Sequence, residues 1–171
     1  MIVGFLVNGA IQALVPVVIA FLLSRIVGDF VGRSVLAIFL IMAAGSYQGF
    51  AIMASDLLGA GPIWAPVELV GGVVFGTMAL LGLRGSPWWL AAAWAAHPIW
   101  DIALHYFGPG GSFAPESYAI ACLSFDLLIA GYIVIVYGLG LLSTGADRRS
   151  DKASIKAESP RYRLAESSQH D

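Results

Sequence analysis

The chain has 171 residues, of which 58% are hydrophobic and 12% are charged, and its formal net charge is −2. A water-soluble domain of this length could not bury so much apolar surface, so the composition predicts an integral membrane protein. The Lys and Arg residues do not gather beside aromatic residues, which argues against a nucleic-acid partner. The single cysteine, Cys122, cannot form an internal disulfide and lies in an apolar run, which is typical of a small buried side chain.

Five apolar stretches are each long enough to cross a bilayer. They comprise residues 2–23, 35–54, 62–83, 87–106 and 117–143. The first is too long for a signal-peptide core and no Lys or Arg precedes it, so we expect it to be retained. The links are short, at residues 24–34, 55–61, 84–86 and 107–116, which predicts consecutive helices packed antiparallel. The sequence therefore predicts an all-α bundle of five transmembrane helices over residues 1–143 and a polar, disordered tail over 144–171.

The positively charged residues predict the orientation of these helices, because cytoplasmic segments carry the excess of Lys and Arg. With the N-terminus outside, all nine fall in cytoplasmic segments: Arg25, Arg33, Arg84, Arg148, Arg149, Lys152, Lys156, Arg161 and Arg163. The outer segments carry Asp56 and Glu116 instead. We therefore expect a multi-pass protein of the cell membrane with a cytoplasmic C-terminal tail, whose basic residues are a candidate contact for anionic lipid.

Three ionisable side chains recur every fourth residue in the fourth stretch, at His97, Asp101 and His105. This spacing places them on one stripe of a helix. Each would cost about 3 kcal/mol in hydrocarbon, so such residues usually mark a functional site that protein or water covers. Pro98 removes a backbone donor and is expected to kink the helix beside His97, either to open the site or only for packing.

Counting inward from the outer helix ends places further polar residues near this stripe. Asp126 is level with His97, Glu68 is level with Asp101, and His105 lies at the mouth. The same outer half also contains Asn8, Gln12, Ser46, Tyr47 and Gln48, whereas the inner half is almost wholly apolar. The sequence therefore predicts a polar cavity that opens to the outside and is closed toward the cytoplasm.

Two chemistries fit this cavity. A divalent metal ion is the candidate cofactor, with His97, Asp101 and Asp126 as ligands and His105 beside them or at the mouth. His97 and His105 are about 12 Å apart along the helix axis and could not share one ion without help. The candidate catalytic residues are His97, Asp101 and Glu68, the last as a fourth ligand or general base.

The second chemistry is metal-free, with the carboxyl of Asp101 and the two flanking imidazoles exchanging protons. A structural alternative also stays open, in which Asp101 bonds to His97 and Asp126 bonds to Tyr118 or His105, only to fix the helix register.

Glycine and tryptophan add packing signals. Gly45 with Gly49, and Gly72 with Gly76, form GxxxG pairs that favour close helix approach. Three tryptophans fall near the expected membrane interfaces, where this residue commonly forms a belt; they are Trp64, Trp88 and Trp89.

The segment HPIWDIALHYF, followed by Pro115, Tyr118, Cys122 and Asp126, resembles a family of small multi-pass membrane proteins from bacteria and fungi, catalogued as domain of unknown function 6010. The family pattern of a His, a Trp-Asp pair, one or two His, and an Asp on the next helix is matched by His97, Trp100, Asp101, His105 and Asp126. Where the family usually has two adjacent His, this chain has Leu104 and His105. The resemblance names no reaction, but it implies that the fourth and fifth helices form the functional pair.

Three classes of function agree with these observations. The first is a membrane enzyme whose outward-facing pocket binds a metal or performs acid and base chemistry on a lipid-soluble small molecule. The second is a small transporter or permeation subunit for protons, cations or another solute, working as a homo-oligomer, although the apolar inner half offers no relay. The third is a non-catalytic partner subunit whose polar residues only hold helices together.

Overall fold

The computed structural model describes residues 1–58 and 64–142, with side chains omitted at 55–58, and every regular element in this part of the chain is helical. The long helices are α1 (Ile2–Ile26), α2 (Asp29–Leu58), α3 (Trp64–Arg84), α4 (Pro87–Asp101) and α5 (Glu116–Gly138). A π-helical turn, Ile102–Tyr106, continues α4, and a 3₁₀ turn, Pro109–Ser112, follows it. The all-α prediction is confirmed, and four of the five predicted spans, α1, α2, α3 and α5, are helices long and apolar enough to cross a membrane. The fourth predicted span corresponds to α4, whose 15 residues are fewer than a span needs, so this span stays a prediction. The predicted tail, from 144 to 171, lies outside the described residues.

The five helices form a closed ring in which each packs against its neighbours in chain order and α5 returns to α1. α2 also contacts α4 across the ring. Alanines such as Ala13, Ala79 and Ala93 are fully buried at these contacts, because small side chains let helix backbones approach closely. Large aliphatic side chains face outward instead, with Val73 59% exposed and Ile99 70% exposed. This distribution is the one expected where hydrocarbon surrounds the bundle.

The connection between α1 and α2 is far shorter than the loop predicted at residues 24–34. Only Val27 and Gly28 lie between the two helices. Gly28 has φ 138°, a conformation that side chains with a Cβ rarely adopt, and this permits the tight turn. The charged residues Asp29 and Arg33 led to the prediction of a loop, but both are helical and form a buried ion pair at 2.9 Å.

Close helix approach occurs at glycines other than those of the GxxxG pairs. A Cβ built at Gly45, Gly49, Gly72 or Gly76 would meet no atom within 4 Å. A Cβ at Gly9 would instead clash with the carbonyl of Ala121, one at Gly71 would lie 3.1 Å from Trp100, and one at Gly82 would lie 2.8 Å from Leu90. The prediction that the GxxxG pairs pack helices together is therefore wrong within this chain. A GxxxG pair marks a small-residue face but does not say which way the helix is turned.

Candidate functional site

Two carboxyl groups converge on one imidazole nitrogen at the contact between α4 and α5. The Nδ1 atom of His97 lies 2.8 Å from Oδ2 of Asp126 and 3.4 Å from Oδ2 of Asp101. At most 1% of each residue is exposed. The predicted contact between His97 and Asp101 is present, but Asp126 hydrogen-bonds to His97 rather than to Tyr118 or His105.

The sequence spacing explains why these residues meet. His97 and Asp101 are four residues apart, so both lie on the same face of α4 as the buried Trp94. On α5, Asp126 belongs to a buried stripe that also contains Cys122 and Ile129. When the two stripes pack together, the three polar side chains are placed side by side and are sealed from solvent.

This His–Asp cluster, which we define as His97, Asp101 and Asp126, has more hydrogen-bond acceptors than donors. Each residue offers one ligand atom, and these atoms all lie within 4.8 Å of one another. Within the described part of the chain, Oδ1 of Asp126 has no hydrogen-bond partner, and the only neutral donor that reaches the carboxyl group of Asp101 is the hydroxyl of Tyr47. Buried carboxyl groups without donors are unfavourable unless a proton or a cation satisfies them. The donor set, one imidazole and two carboxylates, is compatible with several divalent metals.

A second buried pair lies next to this cluster. Nε2 of His105 is 3.5 Å from Oε1 of Glu68 on α3, and the ring of Tyr47 stacks on His105 with its centroid 3.8 Å away and the planes 4° apart. Glu68, predicted as a fourth ligand or general base, thus faces His105 and lies outside the group of candidate ligands. The π-helical turn is wider than an α-helical turn, so His105 lies at a different angle around the helix axis from Asp101. His105 therefore faces Glu68 and not the three candidate ligands.

His105 does not lie at an open mouth, as predicted, but is completely buried. The 3₁₀ turn after α4 folds back over its ring, so that the backbone of Gly110 packs against Nδ1. The ring of Phe113 lies 5.5 Å from the His105 ring and covers another side. Counting residues from the helix end located His105 correctly along the axis but did not take account of the chain that follows.

The polar residues predicted to share one open cavity are divided between two places. The void beside His97 has about 150 Å³ and is too narrow for a water molecule. Asn8, Gln12 and Ser46 instead line a separate, open cleft of about 560 Å³ between α1, α2 and α5. We call this second space the lateral cleft. Tyr118 and Cys122 form its wall on the side of the His–Asp cluster, since Cys122 lies one turn before Asp126 and the Tyr118 ring is 5.4 Å from that of Tyr47.

Sequence reasoning placed Tyr47 in the polar layer but gave it no role. Its ring is 1% exposed and lies between the two histidines, stacked on His105 and 6.4 Å from His97. A large polar aromatic residue in the middle of an apolar stretch was the available signal. Phe75 completes the enclosure with its ring 4.8 Å from His97, so the site is dry and aromatic-walled.

A second polar cluster, which the sequence analysis did not predict, lies at the other end of the bundle. Besides its ion pair with Asp29, Arg33 donates to the carbonyl oxygens of Gly82 at 2.8 Å and Gly85 at 3.1 Å. The hydroxyl of Tyr137 on α5 donates to Asp29. These contacts join α2, α3 and α5, and the i, i+4 spacing of Asp29 and Arg33 was the signal for them.

The fold and the site together define an all-helical protein with helices apolar enough to cross a membrane and a dry, buried cluster of histidine and carboxylate side chains. A family described as "Family of unknown function (DUF6010)" matches residues 8–138, and the chain belongs to this family. The match extends from α1 to the end of α5, well beyond the segment that carried the resemblance. No curated protein and no solved structure matches the chain.

Proposed function

We propose that this protein is a multi-pass membrane enzyme in which His97, Asp101 and Asp126 hold a divalent metal ion that acts on a lipid-soluble substrate. One observation carries the proposal. Asp101 is 0% exposed, the hydroxyl of Tyr47 is the one neutral donor in the described chain that reaches its carboxyl group, and a second carboxyl group lies on the same imidazole nitrogen. A divalent cation would offset both negative charges at once.

The geometry of the cluster supports this assignment. Two ligand atoms bound to one metal at 2.0–2.2 Å are separated by about 3.0–3.5 Å. The separations between His97 Nδ1 and the two carboxyl groups, 2.8 Å and 3.4 Å, are close to this range, and all three ligand atoms lie within 4.8 Å of one another, so binding an ion would require only small side-chain shifts. Three protein ligands leave coordination positions free, which is characteristic of catalytic metal sites. A metal there would polarise a carbonyl or phosphoryl oxygen of the substrate or activate water.

Glu68 and His105 are the proposed proton-transfer pair of this enzyme. Their side chains are 3.5 Å apart, both are buried, and the stacked Tyr47 ring holds the imidazole in place. A carboxylate beside an imidazole can accept a proton and pass it on without an ion leaving the site. In this arrangement Glu68 acts as general base through His105 and not as a metal ligand.

The transport alternative is less well supported. The His–Asp cluster and the Asp29–Arg33 pair lie toward opposite ends of the bundle, and tightly packed apolar residues lie between them. These residues include Leu40, Leu90 and Ile133, each 0% exposed. A continuous proton or cation path would need polar groups or water in this layer.

The experiment is to measure the metal content of protein purified in detergent and incubated with Zn²⁺, Mn²⁺ or Fe²⁺, by elemental mass spectrometry. We expect about one ion per chain in the wild type and less than a tenth of that in His97→Ala and Asp126→Asn. Glu116→Gln, which alters an exposed carboxylate at the start of α5, should retain the ion.

Circular dichroism of each variant separates loss of metal from loss of fold. Equal metal content in wild type and Asp126→Asn, both folded, would contradict the proposed site. If His105→Gln alone also lost the ion, the ligand set would have to include His105. A folded wild type that takes up none of the three metals would leave the metal-free and non-catalytic alternatives.

A further inference from the structure

The lateral cleft between α1, α2 and α5 is an open space that the proposed chemistry does not use. Its volume is about 560 Å³, within the range of sites that bind small molecules. Apolar side chains from all three helices form its walls, among them Phe5, Phe39, Met42 and Phe125. A cleft bounded by lipid-facing helices is open to molecules dissolved in the bilayer.

Uncharged hydrogen-bonding groups line the same cleft. Asn8 and Gln12 are one turn apart on α1, and Ser46 and Ser117 lie on α2 and α5. No lining residue carries a charge. Both α1 amides belong to exposed residues and make no side-chain hydrogen bond within the described chain, although α1 is apolar enough to cross a membrane. An amide that faces hydrocarbon without a hydrogen-bond partner is unfavourable, so a bound polar group would stabilise these two side chains.

The cleft also lies next to the His–Asp cluster. Tyr118 and Cys122 line the cleft on one side, while the Tyr118 ring contacts that of Tyr47 and Cys122 lies one turn before Asp126 on α5. The wall between the two spaces is therefore a single layer of side chains. Access of a bound polar group to the cluster would require this layer, which includes Tyr118 and Cys122, to move.

We propose that the lateral cleft binds the substrate of the His–Asp site, and that this substrate is an amphiphilic lipid with a hydrocarbon body and a neutral head group that bears hydroxyl or carbonyl oxygen. The proposal rests on the function proposed above. The absence of charge among the lining residues favours a neutral head over a phosphate or a carboxylate, since a charged head would enter the cleft without a counter-ion. The paired amides of Asn8 and Gln12 supply both donors and acceptors for such a head.

The test is photolabelling of the purified protein in lipid nanodiscs with a long-chain alcohol that carries a diazirine on its chain. Ala43→Phe places a ring in the cleft, and Gln12→Leu removes one amide without changing a buried contact. The matched control is Ala95→Phe, which adds the same ring at an exposed position of α4 outside the cleft. We expect labelling to fall at least tenfold in Ala43→Phe and severalfold in Gln12→Leu, and to stay at the wild-type level in Ala95→Phe.

Competition with unlabelled molecules tests the head group. A long-chain alcohol should displace the probe at concentrations at least tenfold lower than a fatty acid of equal length at neutral pH. Equal competition by the fatty acid would overturn the neutral-head assignment. Labelling that is unchanged in both folded Ala43→Phe and folded Gln12→Leu would overturn the cleft assignment.

Comparing the labelling of the cleft variants with the metal content of the wild type distinguishes this proposal from the metal site. If the wild type binds no metal but labelling still depends on Ala43 and Gln12, the cleft stands and the metal proposal fails. If the wild type binds metal and both cleft variants are labelled as strongly as the wild type, the metal site stands and the cleft proposal fails.

Discussion

At the scale of single residues, Asp101 is a completely buried carboxyl group with few hydrogen-bond donors around it. His97 has one nitrogen facing both carboxyl groups, and the shorter contact, 2.8 Å, goes to Asp126. Asp101 is left at 3.4 Å from that nitrogen, with the Tyr47 hydroxyl as its other donor in the described chain. A buried carboxyl group in this position costs stability unless a proton or a cation satisfies it.

The first prediction concerns Asp101→Asn. The wild type should gain about 2.7 kcal/mol of stability at a metal concentration one hundred times the dissociation constant, because the ion binds only the folded state. Asp101→Asn should lose most of this gain while remaining folded without metal, since the substitution removes a buried charge but keeps the volume. Thermal unfolding in detergent, followed by circular dichroism with and without added metal, measures the difference. The result that would refute it is an equal metal-induced rise in melting temperature in both proteins.

At the scale of helices, individual glycines and one arginine set the packing. α1 and α5 touch at Gly9, where a side chain would overlap the Ala121 carbonyl, and Ser124 donates to the carbonyl of Leu6 at 2.7 Å. At the far end, Arg33 joins the start of α2 to the end of α3. These contacts hold in register the helices that carry the site.

The second prediction compares glycines on one helix. Gly9→Ala should destabilise the protein by about 1–3 kcal/mol, because the added methyl group must push α1 away from α5. Gly4→Ala is the control, since a Cβ at Gly4 would meet nothing within 4 Å. Denaturant titration in mixed micelles measures both. Equal stability of the two variants would show that α1 and α5 do not pack at Gly9.

The third prediction concerns the buried ion pair. Arg33→Gln should cost about 3–5 kcal/mol, because it leaves the Asp29 carboxylate buried with only the Tyr137 hydroxyl as partner. The double variant Asp29→Asn, Arg33→Gln should recover part of this loss, since no charge then stays unpaired. The same unfolding measurement provides the comparison. A double variant less stable than Arg33→Gln alone would rule out this account.

At the scale of the whole molecule, charge is distributed unequally between the two ends of the bundle. Arg25 lies in the last turn of α1, Arg84 lies in the last turn of α3, and Arg33 contacts that same end of α3. The turn that covers His105 is at the opposite end. The orientation and the fifth span inferred from the sequence stay predictions, since four helices, α1, α2, α3 and α5, are long and apolar enough to cross a membrane.

The fourth prediction tests that orientation in intact cells with a membrane-impermeant maleimide. Ser112→Cys, exposed in the turn after α4, should be labelled from outside. Ser86→Cys, exposed at the start of α4, should be labelled only after the cells are opened. The native Cys122 is buried and should contribute little background. The reverse pattern would place the site on the cytoplasmic side, and labelling of both from outside would exclude α4 as a span.

The sequence by itself determined the all-α class and which stretches form the long helices, because long apolar stretches leave few alternatives to a helix. The proximity of His97, Asp101 and Asp126 could also be predicted from the sequence, since i, i+4 spacing and equal depth along two adjacent helices nearly determine it. Only the tertiary structure decided which way each helix is turned. α1 and α5 carry apolar side chains on every side and only a few polar ones, so no amphipathic face reveals their rotation.

For that reason the separation of the lateral cleft from the His–Asp cluster was beyond sequence reasoning. The burial of His105 was too, because it depends on a short turn that folds back over the end of α4. Depth along a helix follows from counting residues. Rotation about the helix axis, and the chain that covers a helix end, follow only from how the helices pack.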